Sequence, residues 1–196
     1  MYVIAMALLL MSSERLNLNE HSLWLKVGLD DVLSNKEARV KRQGEWLKRH
    51  SLPLLSFTVN MPGPQKMTEC TERIFEQGVQ AIQVTCLEKG WSIAGRQLLR
   101  QVTGPEAIFA VQAPNAMALK RAMIEIENNH RLGRLMDLDV IGVDGKIISR
   151  KGQGMTRRKC LICEQDAVIC ARSRKHDLQT LVSHIESMVC YDECCS

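Results

Sequence analysis

Two aspartates one residue apart, Asp137 and Asp139, stand in the run LGRLMDLDV between Leu132 and Val140. An extended backbone throws residues i and i+2 onto one face, roughly 6–7 Å apart at a rise of about 3.3 Å per residue. Met136, Leu138 and Val140 would then face a core while both carboxylates face away from it. Like charges that close raise each other's pKa unless a cation sits between them. Mg²⁺ is the natural partner, because it is hard, prefers oxygen and is commonly held by one or two carboxylates plus substrate phosphates. Such a site suits phosphoryl or nucleotidyl transfer. The competing reading is a solvated polar face on an edge strand. Gly133 and Arg134, just upstream, favour the chemical one: a close backbone approach and a guanidinium suited to bidentate phosphate contact.

A second constellation is CLICEQDAVICARSRKH, which spaces Cys160, Cys163, Cys170 and His176 as C-x2-C-x6-C-x5-H. Three thiols and an imidazole in one window can close a tetrahedral zinc site. The basic neighbours Arg157, Arg158, Lys159, Arg172 and Arg174 would favour thiolate. The alternative is that Cys163, Ile169 and Cys170 are small apolar residues of a helix packed on a sheet. Cys190, Cys194 and Cys195 have no evident partner.

Charge is unevenly spread. Ile141 to His176 holds nine Lys/Arg against three Asp/Glu, while the whole chain is only +4. A local basic surface favours polyanions such as phosphorylated small molecules, nucleic acid or an acidic protein. Three Phe, three Trp and two Tyr, with no basic-aromatic interleaving, speak against a stacking platform for single strands. The expectation is therefore no nucleic-acid partner.

The elements that must carry these groups follow from periodicity. Asp30 to His50, Thr68 to Lys89, Asn115 to Asn128 and Asp177 to Val189 read as helices. LPLLSFTVN (Leu52 to Asn60), WSIAGRQLLRQV (Trp91 to Val102), EAIFAVQA (Glu106 to Ala113) and RLMDLDVIGV (Arg134 to Val143) read as strands, and Asp144-Gly145 signals a hairpin into KIISR. The order βαββαβ predicts an α+β ferredoxin-like sandwich with helices on one face of an antiparallel sheet. An extra hairpin strand and a C-terminal Cys-rich helical extension complete it. The chain divides into an N-terminal extension over 1–30, a catalytic domain over 31–150, and a basic Cys-rich loop with its helix over 151–196.

The opening MYVIAMALLLM is apolar, but a bilayer core needs about 20 such residues, and neither a basic n-region nor a small-residue cleavage site accompanies it. A start placed too early, with Met6 or Met11 the real one, accounts for this run at least as well as a secretory signal does. Eight cysteines without an export signal point to reduced thiols or metal ligands in the cytoplasm. No membrane partner is expected.

The runs LPLLSFTVNMPGPQK, TGPEA, HRLGRLMDLDV and RKCLICEQDAVICARSRKH, in this order, closely resemble the citrate lyase holo-[acyl-carrier protein] synthase family, the apo-citrate lyase phosphoribosyl-dephospho-CoA transferases. The resemblance runs from about Glu37 to Met188. It implies attachment of 2'-(5''-triphosphoribosyl)-3'-dephospho-coenzyme A to a serine of the citrate lyase acyl carrier subunit, with a phosphodiester formed and pyrophosphate released. The malonate decarboxylase counterpart looks like a nucleotidyltransferase using a DxD pair, which carries over to Asp137 and Asp139. The acceptor serine belongs to the partner, so no internal nucleophile is required.

A triphosphate needs cations. The candidates are Lys66 beyond the Gly63-Pro64 turn, Arg134 beside Gly133, and Arg150 beyond the hairpin. Glu106 is a candidate third acidic group and His130 a candidate base, each with a plain structural role as its alternative. The family pattern has His-Pro where this chain has His130-Arg131. An Arg-Asp and a Pro pair are replaced by Lys151-Gly152 and Met155-Thr156. These departures bear on loop shape and leave the aspartates untouched. The reading from another class is a non-catalytic basic zinc module for RNA or protein.

Overall fold

Four segments pair into one antiparallel sheet: β1 (Leu54–Val59), β2 (Ile93–Gln101), β3 (Gly104–Val111) and β4 (Met136–Ile141), in the order β2-β3-β1-β4. The structure is a computed structural model that describes residues 26–149 and 158–190. The apolar opening run with Met6 and Met11, Arg150, Lys151-Gly152, Met155-Thr156, Arg157, Cys194 and Cys195 lie outside those residues.

Five α-helices accompany the sheet among the described residues: α1 (Leu29–His50), α2 (Glu69–Glu88), α3 (Ala116–Asn129), α4 (Ala167–Ser173) and α5 (Leu178–Cys190). Side-chain caps start three of them, one being Asp177, which accepts the Thr180 amide at the head of α5. Thr68 accepts the Thr71 amide at the head of α2, and Asn115 accepts the Ala118 amide at the head of α3; each satisfies a donor that the first helical turn leaves open.

One face of the sheet buries Leu55, Phe57 and Phe109 against Ile74, Phe75 and Ile82 of α2 and Leu119 and Met123 of α3. Ile185 and Val189 of α5 join the same cluster, so the C-terminal helix shares the core of the sheet. Burying apolar surface at about 25 cal/mol per Å² is what holds these layers together.

The other face differs from expectation. Helices were expected on one side only, yet α1 lies across the second, where Trp46 and Leu47 pack on Leu54, Ile108, Ala110 and Ile141. Its remaining grip is polar. Asn35, Arg39 and Arg42 all reach the buried carboxylate of Glu106 on β3, and Gln43 donates to Ser56 on β1. Leu33 and Val40, two of the five apolar residues (with Val32, Trp46 and Leu47) whose spacing marks this helix, are exposed. The reason is the sheet: a buried carboxylate must be paired, so α1 turns its arginines inward.

The expected hairpin strand is also corrected. Asp144-Gly145 does form a turn, with Gly145 at φ 78°, but beyond it only an isolated bridge joins Ile147 to Ile141. Ile148 donates to the Val140 carbonyl and the pairing goes no further among the described residues. No described helix is long and apolar enough to cross a membrane.

Candidate functional site

The alternation of β4 decides where its aspartates point. Met136, Leu138 and Val140 are fully buried, while Asp137 and Asp139 both face the opposite side and keep 45% and 47% of their side chains exposed. In register, Asp137 sits opposite Thr58 and Asp139 opposite Ser56, so the pair borders the α1 face of the sheet.

β4 is an edge strand, and its outward backbone groups have dedicated partners. The Leu138 amide donates to Glu127 Oε1 at 3.0 Å, and Lys120 Nζ donates to the Leu138 carbonyl at 2.8 Å. Lys120 and Glu127 are seven residues apart on α3, hence on one side of it, and both are nearly fully buried. They grip the residue between the two aspartates. Unpaired buried backbone groups are costly, so this grip fixes the position of the strand.

Each aspartate also has its own cation. Lys120 Nζ is 3.7 Å from Asp139 Oδ1, and Arg158 Nη2 is 3.4 Å from Asp137 Oδ1. The same guanidinium nitrogen donates to Glu127 Oε1 and to the Met136 carbonyl. Burial and then the charge of Asp137 push the Asp139 carboxyl above its ordinary range, outweighing Lys120 and Arg158.

Arg158 connects this pair to a cavity of about 220 Å³ lined by Asn60, Pro62, Arg134, Lys159, His176 and Arg158 itself, among others. Arg134 stands in the 3-10 turn Gly133–Leu135 that leads directly into β4. Three positive side chains at one cavity suit a polyanion.

The remaining expected phosphate contacts are placed differently. Lys66 turns its ammonium back onto the Met61 carbonyl within its own loop, and burial lowers its pKa. Gly63 has φ +82°, and a Cβ there would lie 3.0 Å from Leu178 of α5. At Gly133 a Cβ would come within 2.4 Å of the Ile126 carbonyl, so close packing on the end of α3 requires glycine there. Glu106, the candidate third acid, pairs with Arg39 and Arg42 (3.0 Å to the latter). His130 caps α3 and accepts the Leu132 amide on Nδ1 at 3.1 Å.

The four metal-ligand candidates converge. The thiols of Cys160, Cys163 and Cys170 and a ring nitrogen of His176 lie within 4.8 Å of one another, a cluster that can hold a metal ion. Cys163 and Cys170 sulfurs are 3.5 Å apart, and His176 Nε2 is 3.3 Å from Cys163 Sγ. At Cys160 burial pushes the thiol pKa up, but hydrogen bonds from the amides of Ile162 and Cys163 and from the Cys170 and Cys163 thiols together leave it lowered.

Chain-wide similarity adds to this geometry. Residues 27–191 match the family model described as apo-citrate lyase phosphoribosyl-dephospho-CoA transferase. The chain belongs to that family. A Vibrio cholerae serotype O1 (strain M66-2) protein named a probable apo-citrate lyase phosphoribosyl-dephospho-CoA transferase is 56% identical over 172 residues, covering 88% of this chain and 97% of that protein. The transferase of the same name from Escherichia coli O7:K1 (strain IAI39 / ExPEC) is 44% identical over 163 residues, 83% of this chain and 88% of its own length. A Shigella boydii serotype 18 (strain CDC 3083-94 / BS512) relative is 43% identical over the same span. Membership in this transferase family displaces the non-catalytic zinc-module reading.

Sequence reasoning missed Lys120 and Glu127 and counted Arg158 only as a basic neighbour of the cysteines. A signal existed: opposite charges at i and i+7 flanking the apolar Met123 and Ile124.

Proposed function

We propose that this transferase moves the phosphoribosyl-dephospho-CoA group from 2'-(5''-triphosphoribosyl)-3'-dephospho-CoA to a serine of the citrate lyase acyl carrier subunit. The serine oxygen attacks the α-phosphorus, the α–β phosphoanhydride bond breaks, and pyrophosphate leaves with its electron pair. The serine proton passes to a base or to solvent. One observation carries the geometric side of this reading: Arg158 both lines the basic cavity and contacts Asp137. A triphosphate seated on Arg134, Arg158 and Lys159 would thus lie beside the aspartates.

Asp137 and Asp139 are the residues that would hold Mg²⁺. Their fit rests on two half-exposed carboxylates and on an Asp139 acidity weakened by burial and by its neighbour. Bound there, Mg²⁺ supplies charge neutralisation on the triphosphate. Lys120 and Glu127 hold β4 so that both carboxylates keep one orientation, and Arg158 orients Asp137 while reaching toward the phosphates. We assign Gly63, Gly133 and Lys66 to shaping the loops around that seat, and keep Arg150 as a candidate phosphate contact from the sequence alone.

Cys160, Cys163, Cys170 and His176 fit zinc by donor type, since thiolate and imidazole suit zinc where carboxylate suits Mg²⁺. We read the βαββαβ order with β2-β3-β1-β4 pairing as the ferredoxin-like arrangement. A thiol-rich metal centre supports a reducing, cytoplasmic setting. The basic surface suits an acidic carrier.

The test is mass spectrometry of apo carrier subunit after incubation with the triphosphoribosyl precursor, Mg²⁺ and this chain. A mass increment of one phosphoribosyl-dephospho-CoA is expected with wild type. Asp137→Asn and Asp139→Asn should each slow it by roughly 10²–10³-fold, as for loss of a preorganised electrostatic contact. Loading at the wild-type rate in either variant would remove the pair from the mechanism.

A further inference from the structure

We propose that the Cys160, Cys163, Cys170 and His176 centre is a positioning zinc site that sets the Asp137–Asp139 pair through Arg158. The inference rests on the catalytic reading above for its consequence in activity, and on geometry alone for the coupling itself.

The centre closes a hairpin-like loop. Lys159 bridges Asp166, the Cys160 amide donates to the Gln165 carbonyl at 2.7 Å, and the Ala167 amide donates to the Arg158 carbonyl at 2.9 Å. Arg158 therefore sits at the mouth of this loop, two residues before the first thiol. From there its Nη2 donates to Glu127 Oε1 and to the Met136 carbonyl, and it lies 3.4 Å from Asp137. Glu127 in turn accepts the Leu138 amide between the two aspartates. The path from thiol to carboxylate is continuous.

The loop's apolar anchorage is slight: Leu161 is partly buried against the main core. Helix α4 has seven residues and a single buried one, Cys170, while Val168 and Ile169 are 54% and 52% exposed. A helix that short does not stand alone in water, and a small segment without its own apolar core needs a cross-link. The donor geometry suits one. Zinc at about 2.3 Å from sulfur and 2.0–2.1 Å from nitrogen implies tetrahedral edges of roughly 3.5–3.8 Å; Cys163–Cys170 at 3.5 Å and His176–Cys163 at 3.3 Å are close to this, and all four donor atoms lie within 4.8 Å of one another. Three thiolates and a neutral imidazole on Zn²⁺ leave one negative charge, which Lys175, 3.9 Å from Cys163 Sγ, complements.

The centre makes no contact of its own with Asp137 or Asp139 among the described interactions, so its part is positioning, as outer-shell partners position metal ligands. Removing the metal frees the loop, the loop carries Arg158 away, and Glu127 and the strand edge lose a partner.

The experiment uses the full chain purified under reducing conditions, with zinc per chain, amide exchange at Leu138 and carrier loading measured together. One zinc per chain is expected. Chelation should speed exchange of the Leu138 amide and slow loading, each by about tenfold or more, and added zinc should restore both. Arg158→Gln should keep one zinc per chain yet reproduce the faster exchange and slower loading. A chain purified without zinc, or stripped of it with Leu138 exchange unchanged, overturns the proposal. If wild type never loads the carrier, the transferase reading falls while Leu138 exchange still decides the coupling. Unchanged exchange with intact loading overturns the coupling alone.

Discussion

Lys120 Nζ donates to the carbonyl of Leu138 at 2.8 Å, so a buried ammonium on a helix holds the one residue that separates the two aspartates. The same nitrogen is 3.7 Å from Asp139, whose carboxyl is nonetheless harder to ionise than usual because burial and Asp137 oppose it. In the proposed mechanism, a divalent cation bound by the pair would offset that repulsion.

A carboxyl whose pKa is raised by folding contributes stability that is fully present below its unfolded pKa and is lost as pH rises through the folded one. Without divalent cation, the contribution of Asp139 should therefore decline as pH rises through its raised pKa, and Asp139→Asn should melt at the same temperature as wild type or higher at neutral pH. Mg²⁺ should raise the melting temperature of wild type and leave Asp139→Asn nearly unmoved. In the opposite sense, transfer should fall as pH drops through the raised pKa, because a protonated Asp139 is a poor ligand. Thermal melts and loading rates with and without Mg²⁺ across that range check both signs.

Glu106 fastens α1 to the second face of the sheet through Asn35, Arg39 and Arg42. Glu106→Gln removes the charge and leaves two partly buried guanidiniums without their carboxylate. Breaking a buried ion pair by removing one partner costs about 3 kcal/mol or more. Urea unfolding should show a loss of that order, and amides of α1 should exchange faster than those of α2. An unchanged midpoint would mean that Trp46 and Leu47 suffice to hold the helix.

Gly133→Ala separates packing from substrate approach. A Cβ there would stand 2.4 Å from the Ile126 carbonyl, a backbone atom that cannot rotate aside. Overpacking of this kind costs typically about 1–3 kcal/mol. The melting temperature should fall, and KM for the triphosphoribosyl precursor should rise only as far as the displaced Arg134 permits. A stable variant with a sharply raised KM would instead assign Gly133 to direct phosphate approach.

How much of this was legible in the residues differs from element to element. The helix from Thr68 and the strand around Asp137 could be read because their apolar periods are clean: Ile74, Phe75, Val79, Ile82 and Cys86 recur at helical spacing, and Met136, Leu138 and Val140 alternate. All eight are buried. The first helix was found but not its footing, since Leu33 and Val40 mark a face that remains exposed and the polar face is the one that docks. The hairpin after Asp144-Gly145 was overread. A turn signal specifies reversal of the chain, whereas a strand also needs side chains with a sheet to cover, and Ile147 stays largely exposed.

Local chemistry, then, was available from sequence alone: a two-residue period puts Asp137 and Asp139 on one side, and the spacing of three cysteines and a histidine marks a metal-competent cluster. What reaches those groups was decided by tertiary structure. Lys120, Glu127 and Arg158 lie 10 or more positions away from the aspartates they serve, and their pairing follows from which strand lies at the sheet edge and which helix covers it. Periodicity carries no information about such partners, because a helix specifies its buried side while the fold alone chooses what that side meets.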